Sequence, residues 1–276
     1  MASLTVLSLL YGTEFWNGRY RVYGSSLTSI SGACGFLIGS WLALELIPEV
    51  GWRWFTAVAI AVPTVLALIL LIILPDSPRF LCTHGRQDEA LKAVRFMAWV
   101  NRAKIPDNLT LTYYSGIKKA GSWLKILSRS NRRVTIGLTL SLGANVFIML
   151  GMGTLIPLLF SSHYCGVTVH HTANETVVEH CTKMSDTDFT KILIVNTMGV
   201  PGTIIGLITA AILGRLLPLR VGWVIITLIL AMMMICISET VTLVLICLLK
   251  VVICVVINIL FILLPYVLGR FQYRIL

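Results

Sequence analysis

Charge is what this chain has least of. Only 12% of its 276 residues are Asp, Glu, Lys or Arg, against about a quarter in ordinary soluble domains, which excludes a water-facing globule. Carboxylates are scarcer than cations, 12 against 22, and none stands in the interior of an apolar run. No Gly-rich phosphate loop, nucleophile motif or regular metal-ligand spacing occurs, so an enzyme reading lacks a catalytic constellation. Cysteine does not amount to a disulfide scaffold. Of seven, Cys34, Cys236, Cys247 and Cys254 lie in apolar runs, where a thiol behaves as a small hydrophobe.

What is there is apolar: 57% of the residues are hydrophobic. A bilayer core about 30 Å thick needs roughly 20 apolar residues per helix. Six runs qualify, at about 24–47, 54–75, 134–160, 190–213, 221–238 and 241–265. The expected fold is all-α, a polytopic membrane helix bundle whose first partner is the lipid bilayer. The net charge of +10 could suggest nucleic acid, but its placement argues against that partner. Twelve Lys/Arg and four Asp/Glu fall between Asp76 and Arg133, so this one loop carries +8, the signature of a cytoplasmic loop. Alternating spans then put the Lys/Arg-poor 161–188 loop on the extracellular or luminal side. Asn174-Glu175-Thr176 there is an N-glycosylation acceptor, whereas Asn108-Leu109-Thr110 faces the cytosol and stays unmodified. Cys82 faces the reducing cytosol; Cys165 and Cys181 share the oxidising side, so a disulfide between them is expected. His163, His170, His171 and His180 cluster nearby without ligand spacing, and neither a metal nor a cofactor is expected.

Local patterns refine the spans. Gly24 to Ile47 carries Ser25, Ser29, Gly32, Gly35, Gly39 and Ser40 at spacings that let helix backbones approach closely. Prolines 63, 157, 201 and 265 interrupt four spans, and Pro201-Gly202 predicts a kink in an otherwise continuous helix. In LPDSPRFLCTHGRQDEA, from Leu74 to Ala90, Pro75 closes a span, Ser77 is placed to cap a short helix with Pro78 in its first turn, and Gly85 ends that helix. From Gln87 to Asn101 the residues Ala90, Leu91, Val94, Met97 and Ala98 recur at helical spacing, predicting a surface helix against the bundle. Residues 103–122 are polar and read as a linker.

One ion stands inside the lipid-spanning sequence. Lys250 lies nine residues into the last run, roughly 14 Å deep at 1.5 Å per residue, too far for its stem to snorkel. A cation there needs a wet cavity or a partner. It is therefore either a solute-binding group or half of a structural ion pair. Asn258 falls on the same helical face, and Asn145 and Asn196 are further intramembrane amides. These four are the candidate translocation residues, although each amide can equally bond a neighbouring helix.

Pro75-Asp76-Ser77-Pro78-Arg79-Phe80, with Gly85-Arg86 and Glu89-Ala90, closely resembles the segment that ends the sixth helix of many major facilitator superfamily transporters. Tyr11, Glu14 and Arg21 resemble the motif at the end of the fourth helix, and Gly51-Trp52-Arg53 the turn between the fifth and sixth. Ala98 to Pro106, Lys250 and Asn258 are similar to organic cation and anion transporters. The Cys165–Phe189 loop, Pro201-Gly202 and Gly214-Arg215 are more similar to synaptic vesicle two-related proteins. The resemblance implies a chain running from the end of helix four to helix ten, an internal fragment or truncated isoform of a larger transporter. It would comprise the end of an N-terminal half-bundle (1–75), a cytoplasmic linker (76–133) and part of a C-terminal half-bundle (134–276). It implies alternating-access movement of a small organic solute, with or without a coupling ion, in a plasma or vesicle membrane. Glu14, Arg21, Asp76, Arg79, Arg86, Glu89, Gly214 and Arg215 would form the cytoplasmic gating motifs. Asp76 replaces the usual Glu. Ala211 stands where the eighth-to-ninth turn has an acid, and Pro265-Tyr266 stand where another acid is expected. The alternative from a different class is a non-transporting receptor or scaffold.

Overall fold

The computed structural model describes residues 11–12, 21–104, 106, 132–161, 186–235 and 238–273. Among them are nine helices and no strand: α1 (Arg21–Val50), α2 (Trp52–Ile73), α3 (Pro78–Thr83), α4 (Gln87–Val100), α5 (Arg132–Ser161), α6 (Asp186–Thr197), α7 (Gly199–Ile212), α8 (Leu216–Met233) and α9 (Glu239–Tyr273). Six stretches are long and apolar enough to cross a membrane, with α6 and α7 together forming one of them. The fold is a membrane helix bundle, as expected. Cys165, Cys181, Asn174, Glu14 and the loop histidines lie outside the described residues.

Helix α9 is the hub. It packs on α1, α5, α6, α7 and α8, and its Ile246, Leu249, Ile253, Val256, Ile259 and Leu260 are all buried. Lipid tails are as apolar as leucine, so close packing rather than exclusion of water must hold these helices together. Glycines permit it. A Cβ on Gly202 would meet the Val251 carbonyl oxygen at 2.8 Å, and one on Gly206 would meet Asn258 Cβ at 3.2 Å, so α7 lies backbone to backbone on α9. The contacts also fix direction. Ala33 of α1 lies against Gly199, and Val22 packs on the cluster of Ala210, Ile259 and Leu263. Helix α1 therefore runs opposite to α7 and α9, and its Val50 end shares a face with Asp186 and Glu239.

The small-residue stripe of α1 is used differently from the expectation. Ser25, Ser29 and Ala33 are buried, whereas Cβ atoms on Gly32, Gly35 and Gly39 would meet nothing. Only the serine and alanine side of the stripe touches another described helix.

Prolines also act less uniformly than expected. Helices α2, α5 and α9 continue through Pro63, Pro157 and Pro265; only at Met198, before Pro201, does a helix break. Proline has no N–H for the carbonyl four residues back. At the third position of α7 it needs none, so the chain restarts there.

The 74–90 junction follows its sequence closely. Leu74, preceding a proline, is extended at φ −79°, ψ 122°, as the pyrrolidine ring requires. The Phe80 N–H donates to Ser77 Oγ at 3.3 Å, with Pro78 opening α3. Gly85 takes φ +77°, a left-handed turn that suits glycine. Helix α4 forms as predicted, with Asp88 and Glu89 in its first turn, but Ala90 and Ala93 close on Leu81 of α3 rather than on a membrane span.

Candidate functional site

Lys250 lies eleven residues from the start of α9, about 16 Å along the axis. Its Nζ sits 5.1 Å from the centroid of the Phe36 ring on α1. The negative face of an aromatic ring attracts a cation, by roughly 2 kcal/mol once water is excluded. Three helices meet at this point, because a Cβ on Gly199 would approach Cys254 Sγ at 3.6 Å, Ala33 Cβ at 3.7 Å and Lys250 Cε at 3.8 Å. None of the described ion pairs includes Lys250.

Asn196, in the last turn of α6 just before the break, donates from Nδ2 to Ser40 Oγ of α1 at 2.6 Å. Asn196 and Lys250 border one cavity of about 60 Å³, closed on its far side by Met149, Gly153 and Pro157 of α5. Two of the four amide or ammonium groups singled out in the sequence thus come together. Asn258 does not join them. It is fully buried, and its Nδ2 donates to the Thr203 carbonyl at 2.8 Å, cross-linking α9 to α7. Asn145 is also fully buried, and neither end of its amide has a partner among the described residues. It lies four residues from Met149 and eleven from Ile156, on the face of α5 that borders the cavity.

The motif residues at the opposite end are arranged locally. Arg86 grips Glu89 with two hydrogen bonds, Nε to Oε1 at 2.9 Å and Nη2 to Oε2 at 2.6 Å, the fork geometry that suits a guanidinium. Asp76 is exposed on the short connection before α3, and Arg79 lies within α3. Tyr11 Oη donates to the Pro75 carbonyl at 2.5 Å, tying the segment before α1 to this junction. Arg21 opens α1. Gly214 turns the chain at φ +79° and Arg215 stands at the N-cap position of α8 without a side-chain capping bond. No described ion pair joins Arg215 to Asp76 or Glu89.

Sequence reading did not find Phe36 or the Asn196–Ser40 bond, because one phenylalanine in an apolar run carries no signal of what it faces. The run Gly199-x-x-Gly202-x-x-x-Gly206 was not singled out either, although its spacing places three small residues on one helical face.

A family model described as "Sugar (and other) transporter" matches residues 3–151. The chain is 26% identical over 230 residues to the synaptic vesicle 2-related protein of Pongo abelii, covering 83% of this chain and 41% of that protein. It is 29% identical over 128 residues to the putative transporter SVOPL of Homo sapiens, covering 46% and 25%. Over 213 residues it is 25% identical to the putative transporter svop-1 of Caenorhabditis elegans, covering 76% and 40%. It spans between a quarter and about two fifths of the length of these relatives. With the six-span bundle and the junction motif, these matches make the chain a member of the sugar (and other) transporter family within the major facilitator superfamily.

Proposed function

We propose that the protein moves a small organic solute bearing an anionic group by alternating access, with Lys250 as the binding cation. The observation that carries this reading is Lys250 itself, an ammonium deep in an apolar span beside a cavity, with the Phe36 ring over it and no ion pair among the described residues. A solute anion would take the ring's place as its electrostatic partner. Asn196 would donate to the same solute, and Asn145 lies one helical turn further along.

The cavity supports a moving mechanism. About 60 Å³ has room for a few waters, whereas small-molecule sites occupy roughly 300 Å³ or more, so the helices that line it, α5, α6 and α9, must part before a solute can enter. In this reading residues 1–75 and 134–276 belong to different halves, and Ser40–Asn196 and Phe36–Lys250 are contacts between them. The Arg-rich 76–133 segment faces the cytoplasm, and the 161–188 loop faces outward.

Uptake tests the proposal, in the protein at the length of its relatives and in the 276-residue chain. Lys250→Ala should abolish uptake while surface expression is unchanged, and Lys250→Arg should restore part of it. Undiminished uptake by Lys250→Ala would overturn the assignment. A second reading, a membrane receptor or scaffold descended from a carrier, is favoured by Ala211 standing where the family places a gate acid. Absence of uptake of any solute by the wild-type protein at both lengths, with normal surface expression, would support it.

A further inference from the structure

Helix α4 has a second face that its packing on α3 leaves uncovered. Lys92, Arg95, Phe96 and Trp99 stand at i, i+3, i+4 and i+7, one side of a helix, and all four are exposed. Trp99 is 76% exposed, Val100 beside it 57%, and Phe80 of α3 51%. The rings of Phe96 and Trp99 are neighbours, 6.2 Å between centroids. A helix in water gains nothing by presenting a tryptophan and a phenylalanine flanked by cations. An interfacial helix does, because amphipathic rings settle at headgroup level and basic side chains reach lipid phosphates.

The position of α4 suits that environment. Four residues, 74–77, separate α2 from α3, a reach of at most about 14 Å, so the α3–α4 pair is held close to the bilayer boundary. A cleft opens between the exposed end of α2, at Ile72 to Leu74, and Phe96, with Lys92 at its edge. Apolar side chains thus line the way from the span to the helix, with Asp76 and Glu89 also in the wall of the cleft. The charge is complementary to an anionic surface: residues 76–104 hold six Lys/Arg and three Asp/Glu, and one of those acids, Glu89, is already held by Arg86.

We propose that the Lys92–Arg95–Phe96–Trp99 face is a docking surface for anionic phospholipid, with the two rings among the headgroups and the two cations on phosphates. The site is distinct from the cavity at Lys250 and does not depend on the proposed transport. It predicts that the lipid composition of the adjoining leaflet governs whether α4 is held or released.

The test uses the whole chain in nanodiscs of phosphatidylcholine, with or without phosphatidylserine; both leaflets are then alike, so membrane orientation does not enter. Trp99 emission, isolated as the difference from Trp99→Phe, should be quenched by brominated phospholipid, and amide exchange over 87–100 should slow when phosphatidylserine is present. Lys92→Gln with Arg95→Gln should lower the ratio of lipid-held to free helix about thirtyfold, and high salt should do the same. Quenching of Trp99 by aqueous iodide in both lipids would overturn the proposal. So would protection from iodide and brominated lipid alike, which would mean that protein covers the face.

Discussion

A cation in the middle of a membrane span has to be held by something, and at Lys250 the holder is an aromatic face on another helix. Phe36→Leu keeps the apolar volume but removes the ring, and should lower stability by about 1–2 kcal/mol; Phe36→Tyr should not. Thermal melts of the purified chain in detergent would check the pair, and equal melting of Phe36→Leu and wild type would show that the ring contributes nothing. Glycines make a sharper contrast at the same scale. Gly202→Ala drives a methyl to 2.8 Å from a backbone oxygen, an overpacking expected to cost about 1–3 kcal/mol. Gly199→Ala meets ordinary contacts at 3.6–3.8 Å and should melt like wild type. Lys250 was legible because a lone ion in an apolar run identifies itself. Phe36 was not, because its partner lies on another helix more than 200 residues away in sequence.

At the level of elements, capping chemistry was legible because it is local. Ser77→Ala removes the side-chain acceptor for the Phe80 N–H and should destabilise α3 by about 1 kcal/mol, visible as faster amide exchange over 78–84. Gly85→Ala at φ +77° should add a comparable penalty, by strain rather than by a lost bond. The prolines show the limit of such reading. A proline in a sequence states which hydrogen bond is missing, not whether the helix tolerates the loss. The helix continues through Pro63, Pro157 and Pro265, while α6 ends at Thr197 and α7 begins at Gly199, two residues before Pro201. Pro201→Ala supplies an N–H for Thr197 and should join α6 to α7, slowing exchange around Met198. Unaltered exchange there would place the cause of the break in tertiary packing rather than in the proline.

Across the whole molecule, two kinds of tie connect distant segments. Lys191 of α6 pairs with Glu239 at the start of α9 and, at 3.5 Å, with Asp188. Glu239 is largely exposed, so water and salt screen the pair, and Lys191→Ala should cost no more than about 1 kcal/mol. The Ser40–Asn196 bond is different, because it lies between the segments that the proposed mechanism separates. With cysteines at both positions, a short reductant-cleavable thiol-bridging reagent should cross-link α1 to α6 and stop the uptake that the uncross-linked double variant retains, and reductant should restore it. Transport that continues after complete cross-linking would mean that α1 and α6 move as one body.

Six spans, the capped junction at 74–90 and the place of Lys250 deep in the last span were all determined by sequence, because each rests on nearest neighbours along the chain: runs of apolar residues, a proline, a capping serine, an isolated charge. Span ends were legible only to within about five residues, since the run expected at 221–238 is helical over Leu216–Met233. The family too was written in ordered local motifs. Tertiary structure alone decided that Asn196 and Lys250 share a cavity while Asn258 is spent on packing α9 to α7. It also decided which side of the α1 stripe is buried, and that α4 turns its aromatic and basic side outward. Helical periodicity defines which residues share a face, but not which neighbour that face meets. In lipid, where every helix surface is similarly apolar, only close packing settles that choice.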